Sequence, residues 1–109
     1  MGKMSRNKGK DGERAIAKIL RDHGWADARR GVQYKGGGDS PDVVGLPGVH
    51  IEVKRVESLR LYDALDQSIA DAAPGETPVV FHRRNKKPWV AILLLDDYLK
   101  LLGDCHEED

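Results

Sequence analysis

An α/β domain with a mixed central β-sheet flanked by helices, in the order α-β-β-β-α-β-β-α, is predicted by three observations. The chain has 109 residues, enough for one compact core and too few for two ordinary domains. Some segments repeat their apolar residues at helical spacing, whereas others are short apolar runs bounded by Gly, Pro and Asp. The two kinds of segment alternate along the chain, and such mixing argues for a sheet covered by helices.

The elements follow in order. From Gly12 to His23, Ala15, Ile16, Ile19 and Leu20 recur at helical spacing and Gly24 supplies a stop, so this is the first helix. "WADARRGVQY" reads as an irregular strand, followed by the loop "KGGGDSP". "DVVGL" and "VHIEVKR" form two strands joined by the Leu46-Pro47-Gly48 turn. Ser58 is positioned to cap a second helix that runs to about Ala73, with Leu61, Leu65, Ile69 and Ala72 as its apolar stripe. "PVVFHRR" and "PWVAILLL" are the last strands, with "WVAILLL" expected to be buried, and "DDYLKLL" is a closing helix whose acids favour its N-terminal end.

Charge is balanced over the chain but not along it. Residues 1–38 hold 10 Lys/Arg against 4 Asp/Glu, whereas residues 39–76 hold 3 against 8. Four further cations fall in "RRNKK" at 83–87. Basic segments flanking an acidic centre can grip a phosphate backbone and leave carboxylates for cations, although a charge run taken alone is ordinarily a solvated loop. No apolar stretch approaches the roughly 20 residues of a membrane span. The stretch "MGKMSRNKGKDGER" is basic without the apolar segment of a secretory signal, and the lone Cys105 cannot form an internal disulfide. Cytoplasmic residence is the expectation. No phosphate-binding Gly-x-x-x-x-Gly-Lys-Ser/Thr segment occurs, so ATP is not expected as a cofactor.

The informative stretch is "PDVVGLPGVHIEVKR", residues 41–55. Strand alternation puts Val49, Ile51 and Val53 on one face and His50, Glu52 and Lys54 on the other. The hairpin brings Asp42 alongside. Two carboxylates that converge repel each other unless a cation lies between them, and Mg²⁺ suits two carboxylates plus a substrate phosphate. A lysine on the same face can orient a water or stabilise developing negative charge, which suits phosphodiester hydrolysis. Pro-Asp at a strand start and Glu-x-Lys on an exposed strand face are each ordinary; their combination across one hairpin is more specific. His50 shares the Glu52 face, but no other histidine stands at ligand spacing, so zinc is not expected.

"PD" followed by "EVK", after a helix carrying a glutamate in "KGKDGERAIAKIL", resembles the PD-(D/E)xK nuclease superfamily, especially its small archaeal-type Holliday junction resolvases. The similarity runs from about Lys8 to Trp89. It implies a restriction-endonuclease-like domain over residues 1–109, with a basic arm at 1–11 and an acidic tail at 103–109. It makes Asp42 and Glu52 the principal metal ligands, Lys54 the catalytic lysine and Glu13 the helix glutamate that completes the site. Gln67 matches a glutamine on the helix after the Glu-x-Lys strand, and Tyr62 a further family position. Mg²⁺ is the implied ion, with Mn²⁺ able to substitute.

The resemblance further suggests DNA contacts at Arg29, Arg30, Lys35 and Ser40, the last standing where the family pattern has a serine farther from the aspartate. Lys8, Lys10, Arg83, Arg84, Lys86 and Lys87 complete the expected DNA-binding set. Asp39 is read as a loop-shaping residue. The expected activity is cutting of branched DNA by a homodimer whose contact uses "WVAILLL" and "YLKLL". A related nuclease acting on flaps, ends or invading DNA is the alternative, and a non-catalytic nucleic-acid-binding module is a third reading. The small size fits a phage or mobile-element role in recombination and repair.

Overall fold

The computed structural model describes residues 2–31 and 41–106, with side chains for 9–31 and 41–103. Its elements are α1 (Gly2–Asp22), β1 (Arg29–Arg30), β2 (Val43–Val44), β3 (Val49–Arg55), α2 (Leu61–Asp71), β4 (Thr77–Arg83), β5 (Val90–Ile92) and α3 (Leu95–His106). The order is the one the sequence predicts. The five strands form one sheet in chain order, β1-β2-β3-β4-β5. Only β3 and β4 run parallel; the other neighbours are antiparallel. The connection between the parallel pair is α2, because parallel neighbours need a crossover rather than a hairpin.

Both faces of β3 are covered. Ile16, Ala17 and Leu20 of α1 pack with Ala28, Val43, Ile51 and Val53, flanked by Phe81 and Trp89. The alternate residues His50 and Glu52 point the other way, towards the side on which Ala64, Leu65 and Ser68 of α2 are buried. The strand is therefore buried on both faces, as the central strand of such a sheet must be. The ordinary reading of Glu52 as a solvated strand residue fails, since it is only 7% exposed.

Several boundaries differ from expectation. α1 begins at Gly2 rather than Gly12. Of the irregular strand only Arg29–Arg30 pairs, through Arg29 with Val44 and Arg30 with Val43; residues 32–40, which include Lys35, Asp39 and Ser40, lie outside the described residues. Ser58 does not cap α2: Arg60 occupies the N-cap and makes no side-chain capping bond. The buried stripe of α2 is Ala64, Leu65 and Ser68, with Leu61 and Ile69 about 40% exposed. "WVAILLL" is not a buried strand. Only Val90–Ile92 pairs, at the edge of the sheet, and Val90 and Leu94 are exposed.

Close backbone approaches fix the hairpin that carries the acids. Gly45 has φ +102°, and a Cβ there would lie 2.5 Å from Ala28 Cα. Gly31 has no room either, because a Cβ would lie 2.2 Å from the Pro41 carbonyl oxygen. Glycine is what lets the β1 and β2 segments lie this close.

Candidate active site

The site begins with the β2–β3 register. Val43 stands opposite Ile51, so in an antiparallel pair the preceding Asp42 and the following Glu52 share the other face. Asp42 is held at three points. Its N–H donates to the Ile51 carbonyl and its carbonyl accepts from Gly31 N–H, each at 2.8 Å. Its side-chain Oδ2 accepts from the Val53 amide, also at 2.8 Å. The expected convergence of Asp42 and Glu52 is present: the register puts them side by side on one face, and the Asp42 charge acts on the Glu52 carboxyl.

Burial is the largest influence on Glu52 and the Asp42 charge the next; together they push its carboxyl up from 4.5 to about 7, against the opposing hydrogen bond from His50. Two acids so placed disfavour double ionisation unless a cation joins them. Asp42 and Glu52 therefore fit a divalent ion on the chemistry of their own positions. The side chain of Lys54, half-buried two residues along β3 on the Glu52 face, forms no hydrogen bond or ion pair with the described residues.

The other expected residues divide. Glu13 reaches the sheet from α1, where its Oε1 accepts from Arg30 Nε at 2.8 Å. It thus sits in an ion pair, and Arg30, expected on DNA, is its partner. Gln67 is on the exposed side of α2, beside the buried Ser68, and is not brought into the acidic pair by any bond among the described residues. Tyr62 is 77% exposed. Arg29 is exposed and donates to the Asp27 carbonyl. Lys10 is exposed on α1, whereas the Lys8 side chain lies outside the described residues.

The basic turn is built against the end of β3. Arg55 donates to Asn85 Oδ1 at 3.0 Å, and Asn85 N–H donates to Glu57 at 2.7 Å. Lys86 takes φ +65°, the left-handed conformation of a tight turn, and Arg83 Nε closes onto the Lys87 carbonyl. Arg83, Arg84 and Lys87 line an open groove of about 650 Å³ floored by Leu59, Pro88 and Ile92.

Residues that sequence reasoning left aside also enter. His50 is 1% exposed, with Nε2 2.9 Å from Glu52 Oε1. Its Nδ1 faces Glu76 Oε1 at 3.7 Å. Asp71, at the end of α2, brings a carboxylate oxygen within 4.8 Å of ligand atoms of both His50 and Glu52. Alternation with Glu52 was a visible signal for His50. Nothing local marks Asp71 or Glu76, which arrive through the α2 crossover.

A five-stranded mixed sheet bearing Pro-Asp at the entry to β2 and Glu-x-Lys on β3 defines a domain of the PD-(D/E)xK nuclease type. The family model for the archaeal Holliday junction resolvase (Hjc) matches residues 4–92. The chain belongs to that family, whose members are nucleases acting on DNA. No curated protein and no solved structure matches it. Among the described residues, no helix is long and apolar enough to cross a membrane.

Proposed function

We propose that the protein is a divalent-metal-dependent endonuclease that cuts branched DNA, Holliday junctions foremost, and works as a homodimer. The observation that carries this reading is the convergence of Asp42 with the buried Glu52, in a chain of this family. Asp42 and Glu52 hold the ion, Mg²⁺ ordinarily and Mn²⁺ as a substitute. When bound, the ion supplies charge neutralisation at the phosphate and activation of a water.

The chain's own residues do the rest. Lys54 presents a positive charge beside the carboxylates, where negative charge develops on the scissile phosphate. Arg29 and the turn residues Arg83, Arg84, Lys86 and Lys87 contact the flanking backbone. Glu13 enters through its pair with Arg30, in a supporting position on α1. A twofold dimer presents two equivalent sites to the paired strands of a junction. Support for it comes from α3, where Leu95, Tyr98, Leu99 and Leu102 are between 42% and 68% exposed at i, i+3, i+4 and i+7.

The test is cleavage of labelled four-way junctions, flaps, linear duplex and single strands, with Mg²⁺ or EDTA, wild type beside Asp42→Asn. Paired symmetric cuts confined to the junction are expected, lost with EDTA and in the variant. Mg²⁺-dependent cutting of the other substrates would discard the junction preference, and binding without cutting would discard the enzyme.

A further inference from the structure

We infer that His50, Glu52 and Asp71 form a second cation site, adjoining the Asp42–Glu52 pair and selecting a first-row transition ion over Mg²⁺. The inference rests on the nuclease reading only in sharing Glu52. Asp71 and His50 are otherwise outside that chemistry.

Two features point to a ligand, the geometry of the donor atoms and an unpartnered oxygen among them. The His50, Glu52 and Asp71 donor atoms lie within 4.8 Å of one another. His50 and Glu52 are already spaced for a common ion: two donors each about 2.1 Å from a metal, at right angles, are about 3 Å apart, and Nε2 and Oε1 are 2.9 Å apart. Asp71 Oδ2 is buried and has no hydrogen-bond partner among the described residues. A buried carboxylate oxygen without a donor is unfavourable, and a cation is the partner that removes the penalty.

The surroundings of His50 strengthen the case. The ring nitrogen that does not face Glu52 faces the Glu76 carboxylate at 3.7 Å, and Glu76 is itself held by the Ala73 amide at 2.8 Å. A carboxylate behind the imidazole is how metal-binding histidines are oriented and made more basic.

The donor set decides the class of ion. Mg²⁺ prefers oxygen ligands and keeps several waters. The imidazole is 1% exposed and Asp71 half-buried, and it is the nitrogen donor that sets this site apart from the all-oxygen Asp42–Glu52 pair. Imidazole with two carboxylates suits Mn²⁺, Co²⁺ or Zn²⁺. Such an ion would tie the end of α2 to β3 and hold the Glu52 carboxylate in place beside Asp42.

The test is titration of the full chain with Co²⁺ in excess Mg²⁺, followed by visible absorption and by thermal unfolding. Wild type is expected to retain one Co²⁺ per chain, with a nitrogen-ligated spectrum and a raised Tm. Asp71→Asn should fold, since Asp71 is half-buried and its Oδ2 has no hydrogen-bond partner among the described residues, yet bind that Co²⁺ at least about tenfold more weakly. His50→Gln should lose the spectrum. Asp42→Asn should lose cleavage and keep the Co²⁺. Wild type surrendering all its Co²⁺ to Mg²⁺, Asp71→Asn binding as tightly as wild type, or Asp42→Asn losing the ion would each overturn the second site. Cleavage surviving in Asp42→Asn, with Co²⁺ lost in Asp71→Asn, would instead overturn the nuclease reading and leave this site standing.

Discussion

β3 and α3 depart from the usual distribution of residues in opposite directions. β3 buries a glutamate and a histidine in the middle of a sheet covered on both faces, with Glu52 7% and His50 1% exposed. α3 does the reverse, leaving Leu95 68% and Leu99 52% exposed on the last helix of the chain. Each arrangement is unfavourable for an isolated chain, the first through desolvation of charge and the second through apolar surface left in water. On the proposed reading each is relieved by a different partner, β3 by a cation and α3 by the apolar surface of a second copy. An open apolar groove of about 680 Å³ lies between α3 and the sheet, lined by Leu46, Val79, Phe81, Ile92, Leu95 and Tyr98 among others.

The sharpest way to break this contrast is at β3. Asp42→Asn keeps the volume and the neutral hydrogen-bonding capacity of the side chain while removing ligand charge. Cleavage in Mg²⁺ should fall roughly 10³-fold or more, about 4 kcal/mol of transition-state stabilisation, with circular dichroism unchanged. A folded variant that cuts at a tenth of the wild-type rate would detach the acidic pair from the chemistry.

The corresponding break at α3 is Leu95→Glu with Leu99→Glu. If this stripe is the dimer contact, placing two carboxylates in it should weaken self-association by about 3 kcal/mol, more than 100-fold in Kd. Sedimentation velocity at graded concentrations reads the effect. The monomer should keep its fold, because α3 makes little contact with the rest of the domain. An unaltered monomer–dimer equilibrium would assign the exposed leucines to another surface.

The same contrast explains what could be read from sequence. Element order was legible because each strand and helix carries its own period and its own breakers, Gly24 and the Leu46-Pro47-Gly48 turn among them. The pairing of Asp42 with Glu52 was legible because a hairpin is local and its register follows from a short turn. The burial of Glu52 was not, since it depends on α2 crossing over that face. Asp71 and Glu76 reach His50 by the same crossover, and sequence proximity carries no trace of it. The reading of "WVAILLL" failed for the opposite reason: an apolar run records that water must be excluded, not whether the chain itself or a second molecule does so. The pairing of Glu13 on helix one with Arg30 was not legible, because ion pairing between distant segments is invisible to local pattern.

A subtler effect belongs to Glu52 itself. Its carboxyl is raised from 4.5 to about 7 by burial and by the Asp42 charge, so between those values the folded protein binds more protons than the unfolded chain. Stability in EDTA should therefore be highest below about pH 4.5 as far as this group is concerned, and decline as pH rises through about 7. Glu52→Gln should remove that decline, stabilising the metal-free protein at pH 8 by on the order of 1–3 kcal/mol, with little difference at pH 4.5. Denaturant unfolding at the two pH values measures it. Added Mg²⁺ should raise wild-type stability at pH 8 and raise that of the variant less, because the variant keeps only the Asp42 carboxylate of the pair to offer the ion a charge. A wild-type profile that is flat across this window would mean that Glu52 is better solvated than its position on β3 implies.

The smallest effect is expected at charges that are exposed from the outset. Lys86 and Lys87 sit in a turn anchored to β3 through Asn85, so substituting them with Ala leaves the acidic pair untouched. They act, if they touch DNA, by displacing counterions rather than by forming a desolvated bond. Loss of two phosphate contacts should flatten the slope of log Kd against log salt by about 1.8, while cleavage at saturating DNA stays close to wild type. Binding should consequently be weakened at low salt and converge on wild type as salt rises, a dependence that loss of a buried ligand such as Asp42 would not produce. An unchanged slope would place the turn beside the DNA path rather than on it, and would leave Arg29, Arg83 and Arg84 to account for backbone affinity.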